Sequence, residues 1–331
     1  MSETTASPNP PSDINPKSDI VVGVDGSAES FAALRWSLQQ ARLSGQCVNA
    51  VYGWSYSWDM GPEPSTKEEA DVLRERIADE LHTWVDAASK DMDMSDEQIK
   101  LTSFRAAAST ALLEIGANAQ QIVIGRRSMS RVARWLLGSL SSSLAEEADV
   151  PVTIIRSAQD EDIDVQDQIA NALSPNDQHV HFVTPHVEIP RTARPIVVGV
   201  DGSDTSRRAL EFAAGLAKLN DAPLHVMFFW RIKDLGTVPG YESSIAPMDV
   251  AQRYAMRRLE DFIDAAKLPA PLDVTPNAFH ISPGKGLVSA SRYARHIVVG
   301  SRGLSGLDAH FLGSVSKQVI NSAECNVTVV H

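Results

Sequence analysis

Two short clusters in this 331-residue chain carry residue types suited to holding a phosphorylated ligand. One is Val200-Asp201-Gly202-Ser203: an acid at the end of an apolar run, a glycine that frees the backbone, and a hydroxyl able to cap a following helix. The other is Gly300-Ser301-Arg302-Gly303, followed after nine residues by Gly313-Ser314-Val315-Ser316. Glycines let a backbone approach a ligand closely. A helix opening at Ser314 presents unpaired N–H groups and the positive end of its dipole, and Ser314 and Ser316 add hydroxyls. Taken alone, Asp-Gly-Ser reads equally well as a helix cap, and the glycines as ordinary turns.

Both clusters occur twice. Val21-Val22-Gly23-Val24-Asp25-Gly26-Ser27 recurs unchanged from Val197 to Ser203, 176 residues on. IVIGRR from Ile122 answers IVVGSR from Ile297, and Gly138-Ser139-Leu140-Ser141 answers Gly313-Ser314-Val315-Ser316, each at an offset of 175. VPVTIIR from Val150 answers CNVTVVH from Cys325. Four blocks in one order at near-constant spacing describe a tandem duplication of one domain of about 140 residues, not a solenoid of short repeats. The copies differ at one telling place: Gly125-Arg126-Arg127-Ser128 puts a serine where Gly303 stands in the second. If that position needs positive φ or a bare backbone, the serine costs affinity. Arg126, Arg127, Arg131 and Arg134 crowd this loop and offer either phosphate attraction or a merely solvated basic surface.

Elements that could position these loops alternate strictly. SDIVVGV and RPIVVGV are continuous β-branched runs of the kind buried in parallel sheets. A helix with Phe31, Leu34, Leu38 and Ala41 on one face follows the first and stops near Gly45. Its counterpart carries Ala209, Phe212, Ala213, Leu216 and Ala217 and stops at Asn220-Asp221. Second strands are read at 48–54 and 224–230, long amphipathic helices at 66–89 and 248–267, and third strands at 99–104 and 272–279. A further helix, strand, loop, helix and fifth strand complete each unit. The fold class expected is α/β: two tandem five-stranded, parallel, doubly wound Rossmann-like domains. Boundaries are set at 1–18 (tail), 19–157 (first domain), 158–194 (linker) and 195–331 (second domain). The linker's His179, His181 and His186 lack the carboxylate or cysteine that would complete a metal set, so the segment is read as a surface connection. The β-branched fifth strands are exposed edges that invite pairing. They are expected to lie side by side, as an intramolecular pseudo-dimer; whether two chains then pair as a homodimer is left open.

Composition narrows the partners. Thirty Lys and Arg against 42 Asp and Glu give a net charge of −12, which argues against nucleic acid. No apolar run is long enough for a membrane span, and the Pro/Ser-rich start lacks the features of a signal peptide. Cys47 and Cys325 form no cluster and are expected as two buried free thiols in a cytoplasmic protein. Gly284-Lys285-Gly286 is not a Walker A loop, Gly-x-Gly-x-x-Gly does not follow either first strand, and a Gly-x-Ser-x-Gly elbow is lacking. His280, His296 and His310 have no counterpart in the first copy, which argues against a shared catalytic base.

VVGVDGS at the first strand and G-x2-G-x9-G-[ST] after the fourth resemble the nucleotide-binding branch of the universal stress protein family, over both copies. The resemblance implies ATP, with Mg²⁺, as ligand. It implies Asp201 and Asp25 at the adenine–ribose end. The backbone of Phe229, or of Gly53 in the first copy, is implied to meet adenine. Ribose and phosphates fall to Gly300, Gly303, Gly313 and Ser314 with Ser316. Carried along the same loops, the implied set includes Val200, Gly202, Ser203, Arg302 and Val315, and in the first copy Ser27, Gly125, Arg127, Ser128, Gly138, Ser139 and Ser141. The second copy is the more complete. An ATP-dependent stress-response regulator, its protein partner left open, is the reading favoured; a scaffold with degenerate sites is the alternative, and a slow ATPase the third.

Overall fold

A computed structural model describes residues 19–55, 64–92, 94–126, 139–156, 194–304 and 312–331. The tail, the linker with its three histidines, and the loop positions Arg127, Ser128, Gly138, Arg131 and Arg134 lie outside the described residues. In the first half the strands are β1 (Ile20–Gly23), β2 (Val48–Gly53), β3 (Ile99–Phe104), β4 (Gln121–Arg126) and β5 (Val152–Arg156). They alternate with α1 (Ala28–Ser44), α2 (Lys67–Ser89), α3 (Ala108–Gly116) and α4 (Ser139–Glu147). The second half repeats the order: β6 (Ile196–Val200), α5 (Asp204–Leu219), β7 (Leu224–Phe229), α6 (Met248–Ala265), β8 (Val274–Phe279), α7 (Pro283–Ala290), β9 (His296–Gly300), α8 (Ser314–Ser322) and β10 (Asn326–Val330).

Local chemistry sets the helix ends. Ser27 and Ser203 both adopt extended backbone and accept from the N–H three residues on, at 3.2 and 3.1 Å, capping α1 and α5 alike. Thr66 and Glu69 form a reciprocal capping box at the start of α2. Gly45, with φ of 75°, closes α1 in the left-handed region that glycine enters without strain. Helix α6 stops two residues short of Lys267, and β8 begins at Val274 rather than Leu272. Cys47 and Cys325 are free, as expected, but half-buried rather than buried, because each sits where a strand begins at the sheet rim.

All ten strands form one sheet, in the order β3-β2-β1-β4-β5-β10-β9-β6-β7-β8. Every pairing is parallel except β5 with β10, which run antiparallel with Thr153 opposite Thr328. The expected side-by-side arrangement of the fifth strands is therefore present, and it makes the two halves a pseudo-dimer within one chain. One apolar cluster joins α1, α2, α5 and α6 to one face of the sheet; the other gathers α3, α4, α7 and α8 on the opposite face. Coverage on both faces explains strands that are apolar throughout, such as Ile196 to Val198 at 0–1 % exposure.

Across the seam runs a buried polar chain. The His296 Nε2 lies 2.7 Å from the Thr328 hydroxyl, which is 2.7 Å from that of Thr153, which donates to Gln121 Oε1 at 2.6 Å. Because Gln121 presents an acceptor, each hydroxyl has its one proton assigned and His296 is left to donate. Burial, and then the charge of Arg295, hold the His296 pKa down at about 3. Beside this chain Gln40 and Asn220 exchange two amide hydrogen bonds between α1 and α5, at 3.2 and 2.8 Å.

Candidate functional site

Strand order reverses between β6 and β9, and the loops that leave their carboxyl ends meet there, where doubly wound sheets bind ligands. After Val200 the chain turns through Gly202, whose φ of 90° is open to glycine, with nothing among the described residues within 4 Å of where a side chain would begin. Asp201 binds both loops: Oδ1 accepts from Ser203 N and Oδ2 from Leu304 N, each at 3.0 Å. Gly303 passes directly over this carboxylate, and a Cβ there would overlap Oδ2. The bare backbone at Gly303 is what lets Asp201 clasp the second loop.

The rest of that loop is held from below. Ser301 N donates to Val330 O at 2.7 Å, and Ser301 O accepts from Gly313 N at 2.8 Å. A Cβ on Gly313 would stand 3.2 Å from Ser301 O, and one on Gly300 would stand 2.9 Å from the Thr205 methyl. Helix α8 opens at Gly313 without a side-chain cap, so nothing on its own N-cap answers the N–H groups of Ser314, Val315 and Ser316. The Ser316 hydroxyl is not a free donor, since it donates to Gly300 O at 2.7 Å and so ties the start of α8 to the end of β9. Phe229 turns its ring away, stacking on Phe279 at 5.9 Å and covering Gly286, which leaves only its backbone at the strand end. Thr205, Leu304 and Ser301 join the site unforeseen. Their contribution is contact with a remote loop, which no local pattern marks.

In the first half the same residues are arranged otherwise. Asp25 Oδ1 accepts from both Ser27 N at 3.0 Å and the Ser27 hydroxyl at 2.5 Å. Trp84 of α2 lies against Gly26, only 2.8 Å from where a Cβ would be, and meets Tyr52 edge-on at 5.2 Å. Gly53 is pressed onto α3, where a Cβ would stand 2.8 Å from the Ala108 Cα, and Gly125 onto α1, where a Cβ would overlap the Glu29 carbonyl. Ser139 opens α4, and Ser141 is buried. Arg126 supplies no phosphate attraction, contrary to one reading of its loop. Its guanidinium crosses the seam and donates to Ile320 O and Asn321 O, at 2.6 and 2.5 Å. Arg156 adds a bond to Ala323 O at 2.7 Å, so both cations serve the carboxyl end of α8.

Fold and site together define a duplicated doubly wound α/β protein whose strand-end loops are shaped, in the second copy, around bare backbone. The model of the universal stress protein family matches residues 18–156 and again 192–331. A universal stress protein of Mycobacterium tuberculosis is 29% identical over 321 residues, covering 94% of this chain and 96% of the relative. The crystal structure of a universal stress protein from Archaeoglobus fulgidus superposes with a TM-score of 0.59 at 20% identity, over 94% of this chain and 97% of that one. A universal stress protein solved in complex with cAMP is 29% identical, covers 42% of this chain and 98% of its own, and has a TM-score of 0.30. The chain belongs to the universal stress protein family, whose domain it carries twice.

Proposed function

We propose that the second domain binds an adenine nucleotide, ATP with Mg²⁺, and that its occupancy makes the chain a nucleotide-dependent regulator in stress response. The observation that carries this reading is the clasp of Asp201 on Leu304 N across Gly303, beside the uncapped start of α8. In this reading the bare backbone and the first N–H groups of α8, which no side chain on its own N-cap answers, would meet the phosphate chain, and the Asp201 carboxylate would meet the ribose hydroxyls. Asp201, Val200, Gly202 and Ser203 frame the nucleoside, with the Phe229 backbone at adenine. Gly300, Arg302, Gly303, Gly313, Ser314, Val315 and Ser316 surround the phosphates. Mg²⁺, which favours phosphate oxygens, would be held chiefly by the nucleotide; among the described residues no three His, Cys, Asp or Glu gather to hold a metal. Among them too, no helix is long and apolar enough to cross a membrane.

For the first domain the alternative reading, a surface that contacts partners without nucleotide, is favoured by Trp84 against Gly26. Calorimetric titration of ATP and Mg²⁺ into nucleotide-free protein tests both. Saturable binding at one site per chain, lost in Gly313→Ala and kept in Gly138→Ala, is the expected result. Absence of binding at millimolar ATP would leave the scaffold reading for the whole chain.

A further inference from the structure

At the end of β10 the loop of the glycine pattern meets side chains that the pattern does not contain. The parallel register sets Val330 beside Gly300, so His331 emerges next to Ser301. Arg302 follows on the loop. Arg208 comes from α5, one turn after Thr205, whose methyl lies against Gly300. Burial foremost, then Arg302, hold the His331 pKa at about 4, with Arg208 adding to this and Asp149 of the first domain opposing it. Ser301 is 2 % exposed. Three buried polar atoms in this region, Arg208 Nε, Ser301 Oγ and His331 Nε2, have no hydrogen-bond partner among the described residues. Buried donors are seldom left so, and each costs stability until something supplies an acceptor.

The pseudo-symmetric end of the seam shows what saturation looks like. There Arg126 and Arg156, paired in register, end in carbonyl oxygens of α8 and its following turn. Their counterparts Ser301 and His331 end in nothing described, beside two arginines and the uncapped first turn of α8. We infer that Arg208, Arg302 and His331 form a subsite for the distal phosphates of a nucleoside polyphosphate, and so set a preference for tri- and diphosphate over monophosphate. This rests on the nucleotide reading of the second domain. Two guanidinium groups suit phosphate oxygens by charge and by geometry, and a neutral imidazole contributes one N–H. Asp149 of the first domain acts on His331 against the two arginines, so the positive charge of the cluster is partly offset.

Titration of ATP, ADP and AMP into the nucleotide-free full chain, beside Arg208→Gln and His331→Gln, tests the subsite, with thermal melting to confirm that each variant folds. The wild-type protein is expected to bind ATP at least about tenfold more tightly than AMP, and Arg208→Gln to remove most of that ratio while leaving AMP affinity as it was. His331→Gln should lower the ratio by less, and tripolyphosphate alone should compete with ATP but not with AMP. Equal wild-type affinities for ATP and AMP would overturn the subsite and leave the nucleotide reading standing. So would an Arg208→Gln variant that weakens both nucleotides alike. No binding of any adenine nucleotide would overturn the nucleotide reading, and the subsite with it.

Discussion

The heptapeptide VVGVDGS ends β1 and β6 alike, and its serine caps the following helix in the same way in both halves. The aspartate two residues earlier accepts from that serine's N–H in both halves, at 3.0 Å. Asp25 turns one oxygen onto its own Ser27, through two hydrogen bonds. Asp201 divides its oxygens between Ser203 and the distant Leu304, and so ties two loops together. The surroundings differ: an indole stands over Gly26, whereas no described residue comes within 4 Å of where a side chain on Gly202 would begin. A loop sequence therefore fixes its own turn and cap, and what approaches from elsewhere decides whether that turn can frame a ligand. Identical residues form a turn tied to a second loop in one half and a turn packed under an indole in the other.

The sharpest way to break this comparison is to give the second loop the residue of the first. Gly303→Ser puts a Cβ into the Asp201 carboxylate, which must release Leu304 N or move the loop. Nucleotide affinity of the second domain is expected to fall about a hundredfold, the scale of losing a charged hydrogen bond together with the loop it positions. The reverse change, Ser128→Gly, is expected to add no second binding event, because Trp84 still lies against Gly26. Calorimetric stoichiometry reads both. Unchanged binding in Gly303→Ser would show that the clasp is incidental.

Much of the architecture is legible in the sequence because it depends on local or repeated information. The 175- and 176-residue offsets give the duplication, β-branched runs give the strands, and Ser27, Gly45 and Ser203 mark helix ends through their own backbone preferences. Pairing of β5 with β10 also follows, since two β-branched edges had no other cover. What the sequence hides are side-chain contacts between remote elements. Arg126 lies in a basic run and reads as part of the loop, yet it caps a helix 194 residues away in sequence. Trp84 reads as one more apolar position on the α2 face that carries Leu73, Ile77 and Leu81, and nothing in that spacing says it will reach a glycine turn. The Gln121 and His296 pair is invisible for the same reason: a polar residue at the start of an apolar strand suggests exposure until its partner across the seam is known.

The two ends of the seam give a second, smaller contrast. Arg126→Ala removes two guanidinium hydrogen bonds from the carboxyl end of α8 and leaves those carbonyls half-buried. A loss of about 2 kcal/mol in denaturant unfolding is expected, since bonds to charged donors are worth more than neutral ones. Ser301→Ala, at the pseudo-equivalent position, removes a hydroxyl with no partner among the described residues and should cost less than about 1 kcal/mol. Equal losses in the two variants would mean that the ends are energetically alike, whatever their contacts.

The smallest expected effect probes the chain of hydroxyls between the halves, which ends in an amide on one side and an imidazole on the other. His296 is 1 % exposed and its pKa is held at about 3, below the ordinary 6.5. The folded state therefore keeps His296 neutral while the unfolded state takes up a proton as pH falls below 6.5, so this contribution to stability is full above that pH and drains away toward pH 3. Between pH 7 and 5.5 the loss from this one group is about 1 kcal/mol. His331, held at about 4, loses stability over the same interval with the same sign. His296→Gln copies the residue that the first half already uses at Gln121, and its amide N–H can still donate to Thr328. Stability at pH 7 should change little, while the decline between pH 7 and 5.5 should shrink by about 1 kcal/mol, with His331 and His225 supplying part of what is left. An undiminished decline in the variant would place the acid sensitivity elsewhere, and the histidine end of the chain would then be no different in its proton chemistry from the glutamine end.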